Sequence, residues 1–219
     1  MGIGRGWLWF FGVLFSVFAT GIAASFSALS EGQRLALLVW QQLLFAVAGI
    51  CGSRREYLAS PGRKGYLRAL AAGVGIFVLN TILGALVLAA AAALAGSGPA
   101  QELLLRDRAG VEMLVTSKKP FVAGGAVLLV LVGAPLGEEL FFRGLLVSLL
   151  RERLTAKWAV TLAALLFALL HFYTLQFLPV LVSGILLGLL FIRSGSILVP
   201  ITAHFTVNAL ALLALLSAL

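Results

Sequence analysis

The chain has 219 residues, of which 62% are hydrophobic and 11% are charged, and its mean hydropathy is +1.11. A soluble domain carries about 25% charged residues, so this composition excludes a soluble protein and indicates an integral membrane protein with several spans. The net charge of +8 comes from loops between apolar segments, without interleaved stacking aromatics. This pattern favours a lipid bilayer over nucleic acid as the partner.

Seven apolar segments follow one another, each near the ~20 residues that a membrane-spanning helix needs. They cover 7–29, 35–51, 67–95, 121–150, 157–176, 177–193 and 196–218. The sequence therefore predicts an all-α, polytopic transmembrane bundle of about seven spans, in a single membrane domain over residues 1–219. The first segment resembles a signal peptide but is longer than most signal h-regions and leads into further spans, so we predict that it is retained.

Two features lie outside the main apolar pattern. Cys51, the only cysteine, ends the second segment and excludes an internal disulfide. The polar connection 96–120 mixes leucines with charged residues over 101–113, which predicts an interfacial amphipathic helix. Asp107, the only aspartate, is assigned to this connecting loop.

The basic residues predict the orientation of the chain, because cytoplasmic loops carry an excess of lysine and arginine. Alternating the loops gives one side ten basic residues: Arg5, Arg54, Arg55, Arg63, Lys64, Arg68, Arg151, Arg153, Lys157 and Arg193. The other side has five: Arg34, Arg106, Arg108, Lys118 and Lys119. We therefore predict a cytoplasmic N-terminus. The abundance of alanine, leucine, glycine and arginine is typical of a GC-rich bacterium, which suggests the bacterial inner membrane.

Two adjacent glutamates, Glu138 and Glu139, lie in the middle of the fourth apolar segment. Ionisable groups at membrane depth cost several kcal/mol and usually face a polar cavity. The only two histidines, His171 and His204, also lie in apolar segments in the same half of the chain. The sequence therefore predicts that these scarce groups form one shared site. The alternative is structural, with each histidine bonding a backbone carbonyl and the acids pinning helices together.

Helical spacing arranges these groups further. Glu139 and Arg143 are four residues apart and predict an ion pair on one face, while Glu138 is rotated by about 100° and is free to face a cavity. Pro135 predicts a kink just before the acidic pair. Two further pairs share a helix face at the same spacing, Phe167 with His171 and His204 with Asn208.

Other intramembrane chemistries lack their residues in this chain. A zinc-binding His-Glu-x-x-His helix is absent, an aspartyl dyad needs a second aspartate, and Ser183 lacks the glycine-rich context of a rhomboid-like serine enzyme. These exclusions leave a hydrolase that uses glutamate and histidine. In such an enzyme a carboxylate draws a proton from water and imidazole or carboxamide donors stabilise an oxyanion.

Three motifs in order, Glu138-Glu139-x-x-x-Arg143, Phe167-x-x-x-His171 and His204-x-x-x-Asn208, resemble those of the CPBP family. This family comprises the CAAX-protease and bacteriocin-processing intramembrane endopeptidases, including type II prenyl-protein endopeptidases. The resemblance covers about residues 121–210, which it marks as a CPBP-like catalytic core. The first three apolar segments carry no signature of the family.

The resemblance implies a role for each matching residue. Glu138 would activate water with His171 as its partner, and His204 and Asn208 would form the oxyanion site. Glu139, Arg143 and Phe167 would support them. No cofactor is expected, although Glu138, His171 and His204 are the ligands if zinc takes part.

The implied activity is endoproteolysis of a membrane-anchored or hydrophobic peptide or protein, such as a maturation substrate or a C-terminal sorting anchor. The alternative function is a non-proteolytic scaffold or immunity protein, or an ion-coupled transporter that uses the buried glutamates.

Overall fold

The computed structural model describes residues 3–53 and 55–218. Arg54, one of the basic residues used to predict the orientation, lies outside the described residues, and so does the side chain of Arg55. The described residues are helical and contain no strand, so the predicted all-α class is confirmed.

Eight α-helices and one short 3₁₀ turn make up the described chain. The helices are α1 (Ile3–Ser25), α2 (Glu31–Gly52), α3 (Gly62–Ala95), α4 (Ser97–Val115), α5 (Pro120–Arg151), α6 (Ala156–Leu169), α7 (Phe177–Ser194) and α8 (Leu198–Ser217). The 3₁₀ turn covers Arg55–Leu58. All of these helices except α4 and α6 are long and apolar enough to cross a membrane.

The short helix α6 completes about seven spans, as predicted. It returns the chain from the Arg151 end of the bundle to the end where α4 lies, and there the connection after α6 bonds with Asp107 of α4. At the opposite end, Ser196 Oγ donates to the Ala59 carbonyl at 2.7 Å and Ile197 N–H to the Tyr57 carbonyl at 2.8 Å. Connections assigned to the same side of the membrane are therefore in contact.

Two expectations need correction. Asp107 lies on helix α4 and not in a loop, because the whole of Ser97–Val115 is helical. The fifth apolar segment was expected to reach residue 176, but α6 ends at Leu169. The residues that follow turn away from the helix, and Phe172 has a left-handed φ of 54°.

Local chemistry explains several helix ends. Ser30 caps α2, since its hydroxyl accepts the N–H of Gln33 and the Gln33 side chain accepts the N–H of Ser30. Helix α5 begins at Pro120, whose missing N–H costs nothing in the first turn. Helix α7 stops at Gly195, which has a left-handed φ of 66°.

Helix α5 runs continuously past Pro135 but changes its hydrogen-bond register. Two π-helical stretches, Leu129–Gly133 and Glu139–Val147, flank a single α-helical turn that contains Pro135. Such π-helical insertions are rare and occur frequently at functional sites. The sequence predicted a kink at Pro135, which stays a prediction; what the structure shows there is this change of register.

Aromatic side chains and glycines pack the helices around α5. Phe141 of α5 stacks between Phe10 of α1 and Phe45 of α2, with ring centroids 5.5 and 4.5 Å away. On α7, Gly184 and Gly188 allow close approach of α6, because a Cβ at either position would meet an α6 side chain. These contacts pack α1 and α2 against α5, and α6 against α7.

Candidate active site

Glu139 is the centre of a buried ionic network. Its Oε1 accepts a hydrogen bond from Arg143 Nη1 at 3.0 Å and lies 2.8 Å from His204 Nδ1. Arg143 also donates from Nη2 to the carbonyl of Gly184 at 3.0 Å and lies 4.8 Å from the centre of the Phe167 ring. The predicted ion pair is therefore present, and it joins α5 to α6, α7 and α8.

Glu138 is the carboxylate that remains accessible. Its side chain is 12% exposed, whereas that of Glu139 is 0% exposed. Glu138 Oε1 accepts a hydrogen bond from Nε2 of Gln42, a buried residue of α2, at 3.1 Å. Glu138 Oε2 has a 3.9 Å separation from His204 Nε2, longer than a hydrogen bond. One oxygen of Glu138 is thus held in place and the other faces an imidazole.

His204 lies between the two glutamates and its ring is oriented by Glu139. Because a carboxylate only accepts, the contact with Glu139 requires the proton of His204 on Nδ1. In the neutral ring, Nε2 then carries the lone pair and faces Glu138. With a second proton, on Nε2, the ring of His204 would carry one positive charge. The cluster of Glu138, Glu139, Arg143 and His204 would then have no net charge.

His171 lies just after α6 and is oriented by the last turn of that helix. Its Nδ1 lies 2.7 Å from the carbonyl of Phe167, which places the proton on Nδ1 and leaves Nε2 free to accept one. The ring of Phe167 contacts both histidines edge-on, with centroid distances of 4.6 Å to His171 and 6.3 Å to His204. His171 thus lies beside the network without a direct bond to it among the described contacts.

Asn208 satisfies a carbonyl that the irregular part of α5 leaves open. In the π register Ala134 N–H donates to the carbonyl of Leu129, and the next residue, Pro135, has no N–H to offer Val130. Asn208 Nδ2 donates to that Val130 carbonyl at 2.9 Å. One of its two amide hydrogens is therefore engaged, and only the other remains for a substrate.

Sequence reasoning missed three residues that border the site. Gln42 holds Glu138 as described above, and Asp107 accepts hydrogen bonds from the connection after α6. In that connection, Tyr173 lies with its ring 5.4 Å from His171. Burial raises the pKa of the Tyr173 phenol, and the charges of Glu138 and Asp107 raise it further, so the phenol keeps its proton. No motif marks these residues, since each acts through tertiary contacts.

The zinc alternative would need Glu138, His171 and His204 to converge on one ion. Among the described residues, no group of three or more His, Cys, Asp or Glu side chains is arranged to hold a metal ion. Both histidines have their Nδ1 engaged, His204 by Glu139 and His171 by a backbone carbonyl, which leaves each Nε2 without a hydrogen bond among the described contacts.

The site is nearly closed. His204 and Glu138 keep only 10% and 12% of their side chains exposed. Two surface grooves lie elsewhere, one of about 350 Å³ between α1 and α2 and one of about 260 Å³ between α3 and α7. Neither is lined by the four predicted catalytic residues.

Comparison with known proteins bears on the second half of the chain. Residues 121–210 match the family model described as Rce1-like, type II CAAX prenyl endopeptidase. The curated proteins and the solved structures contain no match to the chain. The matched residues carry both glutamates, both histidines and Asn208. Residues 121–210 of this integral membrane protein are therefore similar to the Rce1-like family, which is described as type II CAAX prenyl endopeptidases.

Proposed function

We propose that the protein is an intramembrane endopeptidase in which Glu138 activates a water molecule for attack on a peptide bond. The observation that carries the proposal is the difference in surroundings between two adjacent glutamates. Glu139 is buried and bonded to Arg143 and His204, whereas Glu138 keeps one oxygen without a hydrogen bond and remains partly exposed. A carboxylate held by one oxygen and free at the other suits a general base.

The proposed reaction is hydrolysis by addition and elimination. Glu138 takes a proton from water while the water oxygen bonds to the scissile carbonyl carbon, and His171, with its free Nε2, helps to hold the water. The carbonyl oxygen becomes an oxyanion. Glu138 then returns its proton to the nitrogen of the leaving amine as the carbon–nitrogen bond breaks. The products are a carboxylic acid and an amine, and the enzyme is restored.

The oxyanion has two donors in this proposal. One is His204 Nε2–H in the doubly protonated ring, which makes the cluster of Glu138, Glu139, Arg143 and His204 neutral. The other is the second amide hydrogen of Asn208. Preorganised donors of this kind are worth about 10²–10³-fold each, and the fixed ring of His204 supports such a role.

The substrate class follows from where the site lies. Glu138 is near the middle of a 32-residue apolar helix and is surrounded by apolar helices, so only a segment with a hydrophobic anchor partitions into it. We propose a membrane-anchored peptide or protein as substrate, in the bacterial inner membrane, with the N-terminus of the enzyme in the cytoplasm. A maturation substrate and a C-terminal sorting anchor both satisfy this chemistry.

Reconstitution tests the proposal. Wild-type protein and Glu138→Gln are placed in lipid vesicles with a panel of membrane-anchored peptides and their anchor-free counterparts, and products are identified by mass spectrometry. We expect cleavage of anchored peptides only, and a loss of about 10²–10⁴-fold in Glu138→Gln. Glu102→Gln, an exposed acid on α4, is the control. Equal cleavage by wild type and Glu138→Gln would contradict the proposal and favour the scaffold or transporter alternative.

A further inference from the structure

Asp107 holds the connection between α6 and α7 from a distant helix. Its side chain is buried, with 7% of the residue exposed. Oδ2 accepts the backbone N–H groups of Thr174, Leu175 and Gln176 at 3.1, 2.8 and 3.1 Å, and Oδ1 accepts that of Thr174 at 3.0 Å. Three consecutive amides thus converge on one carboxylate.

These bonds hold the three residues that immediately precede α7. The first N–H groups of a helix have no partner within the helix, and a negative charge there is favourable. Gln176, the residue before α7, makes no capping bond with its own side chain. Asp107 places a negative charge beside this end of α7, and its bonds fix the residues before α7 relative to α4.

The connection that Asp107 fixes carries two residues of the candidate site. His171 and Tyr173 lie in it, three residues or fewer from Thr174. Between them, Phe172 has a φ of 54°, a left-handed conformation that is costly for an aromatic residue. Such a conformation persists only where the surroundings enforce it, and it is concentrated at functional sites.

We propose that Asp107 is a positioning residue of the candidate peptidase, which sets His171 and Tyr173 against Glu138 by clamping the connection that carries them. This inference rests on the proposed function. It also means that the residues needed for activity extend beyond 121–210, because Asp107 belongs to α4. A further contact from the same helix, Arg106 Nη2 to Thr174 Oγ1 at 3.4 Å, lies at the same place.

Two variants separate positioning from folding. Asp107→Ala removes every acceptor, whereas Asp107→Asn keeps one oxygen that can accept the three amides. Glu102→Ala removes an exposed acid from the same helix and is the matched control. Two quantities are measured in lipid vesicles: hydrogen exchange of the peptide that contains residues 174–176, and kcat and KM for an anchored substrate that the wild type cleaves.

We expect fast exchange of this peptide in Asp107→Ala only. We also expect kcat to fall about 10–100-fold in Asp107→Ala, since a misplacement of 1 Å costs up to about 10²-fold, with KM changed by less than about 3-fold. Asp107→Asn should keep slow exchange and most of kcat. If Asp107→Ala does not fold, exchange and kcat of Asp107→Asn are compared with those of Glu102→Ala to test the inference.

Three results would overturn the inference. They are unchanged exchange in Asp107→Ala, fast exchange with an unchanged kcat, and a loss of kcat in Asp107→Asn while its exchange stays slow. In each case a wild type that cleaves and a Glu138→Gln variant that does not would leave the proposed function standing. Failure of the wild type to cleave any anchored peptide would refute both.

Discussion

The two halves of the molecule contribute different things to the site. Residues 121–210 carry the motif residues and match a protease family. Helices α1–α4 match no motif, yet they supply Gln42, which bonds Glu138, and Asp107, which bonds the connection after α6. The reactive groups therefore come from one part of the chain, whereas two of the groups that hold them, Gln42 and Asp107, come from the other.

The largest expected effect is inside the motif region, where Arg143 is 2% exposed. Arg143→Ala leaves Glu139 buried with an uncompensated charge, which typically costs 3–5 kcal/mol. We expect a marked fall in folded yield and in the midpoint of thermal unfolding, measured in the same detergent. Arg193→Ala, an exposed arginine on α7, is the control. A stable and active Arg143→Ala protein would show that the buried network does not hold the bundle together.

The next effect tests the contribution of the first half of the chain. Gln42→Leu removes the hydrogen bond to Glu138, a bond to a charged group that is worth about 1.5–3 kcal/mol. We expect kcat to fall about 10–100-fold with little change in folded yield. Gln41→Leu, at the neighbouring position of α2, is the control. A wild-type value of kcat in Gln42→Leu would show that Gln42 is not needed for catalysis, which would confine the active site to the motif region.

A smaller effect concerns Asn208 and the irregular part of α5. Asn208→Ala leaves the Val130 carbonyl without its donor, a loss of about 1–3 kcal/mol. Pro135→Ala restores an N–H five residues after Val130, where the π register can use it. We therefore expect Asn208→Ala to cost about 1 kcal/mol less in the Pro135→Ala background, measured as a double-mutant cycle of unfolding free energies. Strictly additive losses would contradict this account of Asn208.

The smallest expected effect is that of metal removal. The described residues include no cluster suited to a metal ion, so incubation with a strong chelator should leave cleavage by wild-type protein unchanged. The assay compares treated and untreated vesicles on one anchored peptide. Loss of activity that only zinc restores would assign Glu138, His171 and His204 as ligands.

Features with a local cause were predictable from the sequence. The apolar segments predicted the long helices, because a span needs a continuous apolar run. The spacing of four residues predicted the ion pair of Glu139 and Arg143, since such residues are neighbours on a helix. The adjacent position of Glu138 likewise predicted that it would point elsewhere.

Features with a tertiary cause were not predictable. Helix α6 ends early at a connection that Asp107 fixes from 67 residues away, and no pattern within 157–176 indicates this. His204 was assigned to the oxyanion site with Asn208, and no pattern indicated that its Nδ1 would lie on Glu139. The engagement of Asn208 depends on the π register of α5, which the sequence pattern did not reveal. The roles assigned to His171, His204 and Asn208 remain predictions.

The central claim is that two adjacent glutamates have different roles, and a matched pair of variants tests it most directly. Glu138→Gln and Glu139→Gln each remove one charge and keep the shape of the side chain. Both are compared with wild type for kcat on an anchored peptide and for the midpoint of thermal unfolding.

We predict that Glu138→Gln loses about 10²–10⁴-fold in kcat and keeps the unfolding midpoint, because an amide oxygen at this position can still accept the hydrogen bond of Gln42. Glu139→Gln should lower the midpoint, because Arg143 then lies buried without a counter-ion. Cleavage by Glu138→Gln at the wild-type rate, or loss of kcat in Glu139→Gln alone without a change in stability, would contradict the account.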